Sequence, residues 1–140
     1  MSRTYVKKIC LFGGTGFVGS SIIKLLAKKG HELKIATRSP FDEDVLELKS
    51  TVSDPGQIKI EKINISSKDQ IKNFIKGSDI CINLIGILYE NGSNTFQKIH
   101  TDFVNDLALL IKQENSIKHF IHFSSLGVKS GTESKYLESK

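Results

Sequence analysis

Residues 8–19 read Lys8-Ile9-Cys10-Leu11-Phe12-Gly13-Gly14-Thr15-Gly16-Phe17-Val18-Gly19. The apolar run from Val6 to Phe12 ends abruptly at glycines. Phe17, Val18, Ile22, Leu25 and Leu26 then recur at helical spacing, closed by Lys28, Lys29 and Gly30. The stretch predicts a strand, a tight turn and a helix, in that order. In that setting each glycine has its own task. Gly13 and Gly14 turn where a β-carbon would clash. Gly16 leaves a path for a phosphate to the backbone, and Gly19 lets the helix pack close to the strand. The first-turn N–H groups of such a helix have no intrahelical partners. Together with the helix dipole they favour a pyrophosphate. Both Gly14-x-Gly16-x-x-Gly19 and Gly13-x-x-Gly16-x-x-Gly19 are present, after a strand and before a helix, which is the context a dinucleotide loop requires.

Outward from this unit, Glu32 to Thr37 forms a second short strand, stopped by Arg38-Ser39-Pro40. A strand–helix–strand unit of this length implies a parallel pair. The residue at the end of its second strand meets the adenosine ribose: an acid there selects NAD, an arginine accommodates a 2′-phosphate. Arg38 holds that place, with no acid until Asp42, so the reading is NADP(H), with NAD(H) as the alternative. Asp42 to Lys49 reads as helix, Ser53-Asp54-Pro55-Gly56 as a turn. Ile58, Ile60, Ile63 and Ile65 mark a third strand with Asn64-Ile65 at its end. Ser67-Lys68-Asp69-Gln70 is a capping box opening a helix that Gly77 stops.

Asp79 to Gly86 is a near-continuous apolar run, suited to a central parallel strand covered on both faces. The polar residues 87–94 follow at its carboxyl end. Phe96, Ile99, Phe103, Leu107, Leu110 and Ile111 predict one long helix to about Gln113. Lys118 to Phe123 is the fifth strand, followed by Ser124 and Ser125. The expected fold is α/β, a doubly wound parallel sheet of Rossmann type with strand order 3-2-1-4-5. The 140 residues are expected to form one NAD(P)-binding domain, truncated before a sixth strand and without a substrate half.

Composition narrows the function classes. The net charge is +5, but the lysines are scattered and not interleaved with aromatics, so no nucleic-acid stripe is expected. No apolar run reaches the length of a membrane span. The first strand starts near Tyr5, which leaves no expected room for a targeting peptide. Cys10 and Cys81 both fall in predicted buried strands, as expected of small core hydrophobes in a reducing compartment. His31, His100, His119 and His122 do not cluster at metal spacing, and no metal is expected.

One further constellation carries chemistry. Tyr136-Leu137-Glu138-Ser139-Lys140 puts Tyr136 and Lys140 four residues apart, on one helix face. A nearby ammonium lowers a tyrosine pKa, so the phenol can exchange a proton with a carbonyl or carbinol. Ser124 or Ser125 can hold the same oxygen. A helix of about two turns is marginal alone, so the 140-residue chain by itself is expected to show no turnover.

At this point the chain resembles the extended or atypical short-chain dehydrogenase/reductases, whose amino-terminal half it would match throughout. It looks most like their branch of NADPH-binding accessory subunits of respiratory complex I and bacterial relatives. The resemblance rests on Gly13 to Gly19, on Asn83-Leu84-Ile85-Gly86 with Leu88-Tyr89-Glu90, on His119 to Ser124, and on Tyr136 with Lys140. It implies that Gly13, Gly14, Thr15, Gly16, Phe17 and Val18 wrap the pyrophosphate, and that Arg38 and Ser39 contact the 2′-phosphate. It implies that Asn64 and Ile65 flank adenine and that Leu84, Ile85 and Gly86 line the adenosine side. Ser124 or Ser125, Tyr136 and Lys140 would occupy catalytic positions, Lys140 also touching the nicotinamide ribose. Asn64 stands where many relatives carry aspartate. The stretch His100 to Asp106 lacks the Asn-x-x-Gly-Thr-x-Asn run of many sugar-nucleotide epimerases. Two functions follow as expectations. One is a subunit holding NADP(H) as a structural ligand of a respiratory membrane complex, cytoplasmic or peripheral on the inner face of the energy-transducing membrane. The other is an NAD(P)-dependent oxidoreductase or epimerase.

Overall fold

A computed structural model describes residues 5–14, 16–40, 57–86, 90, 92 and 94–124. The strands are β1 (Lys8–Phe12), β2 (Glu32–Thr37), β3 (Ile58–Lys62), β4 (Ile80–Asn83) and β5 (His119–His122). They form one parallel sheet in the order β3-β2-β1-β4-β5, the predicted one. Chain order reverses between β1 and β4, and ligands of open α/β sheets bind beyond the carboxyl ends of the strands at such a point. The predicted helix at 42–49 and turn at 53–56 lie outside the described residues, as do Leu88 and Tyr89.

Helix α1 (Phe17–Lys28) covers one face of the sheet. Its buried stripe is Gly19, Ile23 and Ala27, packed with Leu11, Leu33, Ile35 and Ile82. That corrects the sequence pattern: Phe17, Val18 and Leu25 are exposed, Phe17 at 90%. Gly19 decides the stripe. A Cβ there would stand 2.6 Å from the Gly13 carbonyl oxygen and 2.8 Å from Gly14 Cα, so only glycine lets the helix lie this close to the turn.

The other face carries α2 (Lys68–Ile75) and α3 (Phe103–Gln113). Phe12, at the end of β1, meets Phe74 and Phe103 edge to face, with centroids 5.1 and 5.2 Å away. Such pairs add about 0.5–1.5 kcal/mol beyond burial, and here they fix both helices to the floor of the switch point. Only half of the predicted capping box forms. Ser67 Oγ accepts the Gln70 N–H at 3.3 Å. The Gln70 side chain turns away and accepts the Asn64 N–H at 2.8 Å, tying the end of β3 to the helix start.

Two further expectations are corrected. The apolar run Asp79–Gly86 is not strand throughout: β4 is Ile80–Asn83. Asn83 is fully buried, and its Oδ1 accepts the Ile85 N–H at 3.1 Å, a local bond that competes with the sheet ladder. The long helix is not uniform: Gln97–Asp102 is a π-helical segment feeding α3. Ile99 and His100 are buried there, and Phe96 stacks on His100 at 5.5 Å.

Cys10 and Cys81 are free, buried and directly opposite in the β1–β4 register. The hydrogen bond between the two thiols, reinforced by burial, holds the Cys81 thiol protonated well above the ordinary thiol range.

Candidate functional site

The residues around the switch point enclose a cleft of about 1050 Å³ along the carboxyl edge of the sheet. Gly13 makes its floor. It has φ +83°, a left-handed conformation in which L side chains are strained. A Cβ on it would lie 2.7 Å from Ile85 N and 2.8 Å from Leu84 C. The turn after β1 and the segment after β4 therefore touch through backbone alone. Leu84 N–H donates to Phe12 O at 2.8 Å, and Asn83 Nδ2 lies 3.2 Å from His122 Nδ1. These bonds bolt β1, β4 and β5 together under the cleft.

At the mouth of the cleft, Gly16 is the N-cap of α1 and brings no capping side chain; the first turn has no acid. Ser20 N–H reaches Gly16 O at 2.9 Å, but among the described residues the N–H groups of Phe17, Val18 and Gly19 find no acceptor. A Cβ on Gly16 would meet nothing within 4 Å. A helix start with open donors, no carboxylate and free space before it attracts an anion.

Arg38 and Ser39, just past β2, line the cleft, as do Asn64 and Ile65 past β3 and Leu84, Ile85 and Gly86 past β4. The Ser39 N–H donates to Thr37 Oγ1 at 3.2 Å and the Ser66 N–H to Asn64 Oδ1 at 3.0 Å, so both strand ends are set by side-chain turns. Of the residues singled out in the sequence, the structure gathers Gly13, Gly16, Arg38, Ser39, Asn64, Ile65, Leu84, Ile85 and Gly86 on one cleft. Gly14, Phe17, Val18 and Gly19 do not line it. Gly14 and Gly19 are buried behind the turn, and Phe17 and Val18 present side chains to solvent, leaving only their backbone near the mouth. Ser124 is exposed two residues past β5 and is not on the cleft either. Thr15, Ser125, Tyr136 and Lys140 lie outside the described residues. The Ser-Tyr-Lys group is thus not brought together within them.

Sequence reasoning missed Glu61, Lys62, Asn73 and Lys98, all of which line the cleft, whereas Asn94, which also lines it, belongs to the polar stretch expected at the carboxyl end of the fourth strand. Lys62 had a usable signal, since it ends the alternation Ile58, Ile60, Lys62. Lys98 had none, because the π-helical segment that presents it was not expected. Among the described residues no group of three or more His, Cys, Asp or Glu side chains could hold a metal, and no helix is long and apolar enough to cross a membrane.

The model of the NmrA-like family matches residues 6–138. The mitochondrial NADH dehydrogenase (ubiquinone) 1 alpha subcomplex subunit 9 of Arabidopsis thaliana is 31% identical over 130 residues, covering 93% of this chain and 32% of that protein. The chain thus spans about a third of the length of such curated relatives. Among solved structures, alfalfa vestitone reductase superposes with a TM-score of 0.67 at 25% identity, over 89% of this chain and 38% of that one. The negative transcriptional regulator NmrA in complex with NAD superposes with a TM-score of 0.68 at 18% identity, over 85% and 33% of the two chains.

Proposed function

The chain belongs to the NmrA-like family and has its Rossmann-type NAD(P)-binding fold, and from that premise we propose that it holds NADP(H) in the cleft as a structural ligand of a respiratory complex I assembly. One observation carries the dinucleotide reading: the uncapped, acid-free start of α1 opens onto a cleft whose floor is a left-handed glycine on which a Cβ would clash with backbone. The residues fit the group. Gly13, Gly16 and the first-turn N–H groups of α1 would hold the diphosphate. Asn64, Ile65 and Leu84 to Gly86 would enclose the adenosine, and Arg38 with Ser39 would face a 2′-phosphate. When bound, the cofactor supplies hydride chemistry at its nicotinamide. This chain's own residues bind and orient it, and the π-helical wall with Phe74 and Ile99 dries one side of the cleft. The relatives among mitochondrial NADH dehydrogenase subunits support a respiratory partner and a place at the membrane surface.

The test titrates NADPH and NADH into the wild type and Arg38→Ala. Tighter NADPH binding by the wild type is expected. Arg38→Ala should lose about tenfold or more in NADPH affinity, the scale of a charged hydrogen bond, with little change for NADH. Equal affinities in the wild type refute the NADP(H) preference. The catalytic alternative keeps one observation, that Ser124 follows β5 on the same sheet edge. Steady NADPH oxidation with a panel of carbonyl compounds, lost in Tyr136→Phe, would establish it over the structural role.

A further inference from the structure

Strand pairing places a second cation at the strand end next to the one that Arg38 follows. Ile58 and Ile60 of β3 pack into the α1 side of the core, and alternation puts Lys62 on that same face. Lys62 is the register partner of Thr37, and the pairing runs one step further through the Ile63 N–H, which donates to Thr37 O at 3.0 Å. Arg38 and Lys62 thereby stand at adjacent strand ends, and both line the cleft. Among the described residues neither makes an ion pair; the salt bridge found there joins Lys68 to Asp106, on α2 and α3. Glu61 also lines the cleft; it pairs in register with Ala36 and lies on the face of β3 opposite Lys62. Like charges on neighbouring strands repel, and an anion between them would relieve that repulsion.

We propose that Lys62 is a specificity-determining residue that shares the ribose 2′-phosphate with Arg38; this rests on the NADP(H) reading above. Charge selects that group over the diphosphate. A phosphate monoester carries about −1.5 to −2 at pH 7, which a single guanidinium leaves half neutralised. The diphosphate already has the open donors at the start of α1, whereas the ends of β2 and β3 flank the adenosine ribose.

The experiment titrates NADPH and NADH into the wild type, Lys62→Met, Lys62→Arg and Arg38→Ala, at low and high salt. Lys62 is exposed, so the methionine variant should keep the wild-type melting temperature. Lys62→Met is expected to weaken NADPH about tenfold and NADH by less than about twofold, to flatten the salt dependence of NADPH binding, and to be rescued by Lys62→Arg. Unchanged NADPH affinity in Lys62→Met, with loss in Arg38→Ala, overturns the proposal while leaving the cofactor reading intact. So does an equal loss for both dinucleotides. No binding of either dinucleotide by the wild type overturns the proposal and the cofactor reading together.

Discussion

Gly13→Ala is the sharpest perturbation the fold offers, because its cost can be worked from geometry. The residue sits at φ +83°, and an L side chain in the left-handed region costs about 1–2 kcal/mol. The added Cβ would lie 2.7 Å from Ile85 N, 2.8 Å from Leu84 C and 3.0 Å from Ile85 Cα. Ordinary contact begins near 3.5 Å, so the two segments must part by roughly 0.8 Å. All three obstacles are backbone, held by Leu84 N–H to Phe12 O at 2.8 Å and by Ile85 N–H to Asn83 Oδ1 at 3.1 Å. Losing either bond costs about 1 kcal/mol. The sum is about 3 kcal/mol, a large share of the 5–15 kcal/mol typical of a folded domain. The assay is urea unfolding at 25 °C with Gly16→Ala as the control. Gly16 has φ −77° and open space around it, so the control should cost under about 1 kcal/mol. Gly13→Ala should also bind NADPH more weakly, since the parted segments are the cleft floor. A Gly13→Ala loss no larger than that of the control would refute the claim that β1 and β4 meet there through backbone alone.

Two other outcomes are expected. Asn83→Leu keeps the volume but strands the Ile85 N–H, and a polar group left unpaired in the interior costs about 1–3 kcal/mol; a urea midpoint equal to wild type would contradict this. The Cys81 thiol, raised by its bond to Cys10 and by burial, contributes stability that is fully present below the unfolded thiol pKa and is lost as pH rises above it; Cys10, lowered by the same bond, works in the opposite sense, so the alkaline loss is that of one thiol. The unfolding free energy should fall above about pH 8.5–9, by up to about 1.4 kcal/mol per pH unit for one group, and Cys10→Ala combined with Cys81→Ala should flatten that limb. An alkaline limb unchanged in the double variant would place its cause elsewhere.

Much of this protein was legible in one dimension. Local rules suffice where neighbours in sequence decide the outcome: the strand–glycine–helix unit at 8–28, the bounds of β2, the Ser67 cap and the Gly77 stop all follow from periodicity and backbone freedom. The parallel order also followed, since alternating strands and helices admit few topologies. Tertiary structure alone decided the rest. A side chain at position 13 is costly because Ile85, more than seventy residues away, packs on it. β4 stops at Asn83 because that side chain spends its oxygen on a nearby N–H, which an apolar run conceals. The inward stripe of α1 is set by how closely Gly19 meets the turn, and hydrophobicity points to Phe17 and Leu25 instead. Lys62 joins Arg38 only through β2–β3 register, a pairing between segments whose separation in the chain erases any local trace of it. Sequence thus encodes what each segment is, while the cleft's floor and its charges come from contacts between segments, which local patterns do not carry.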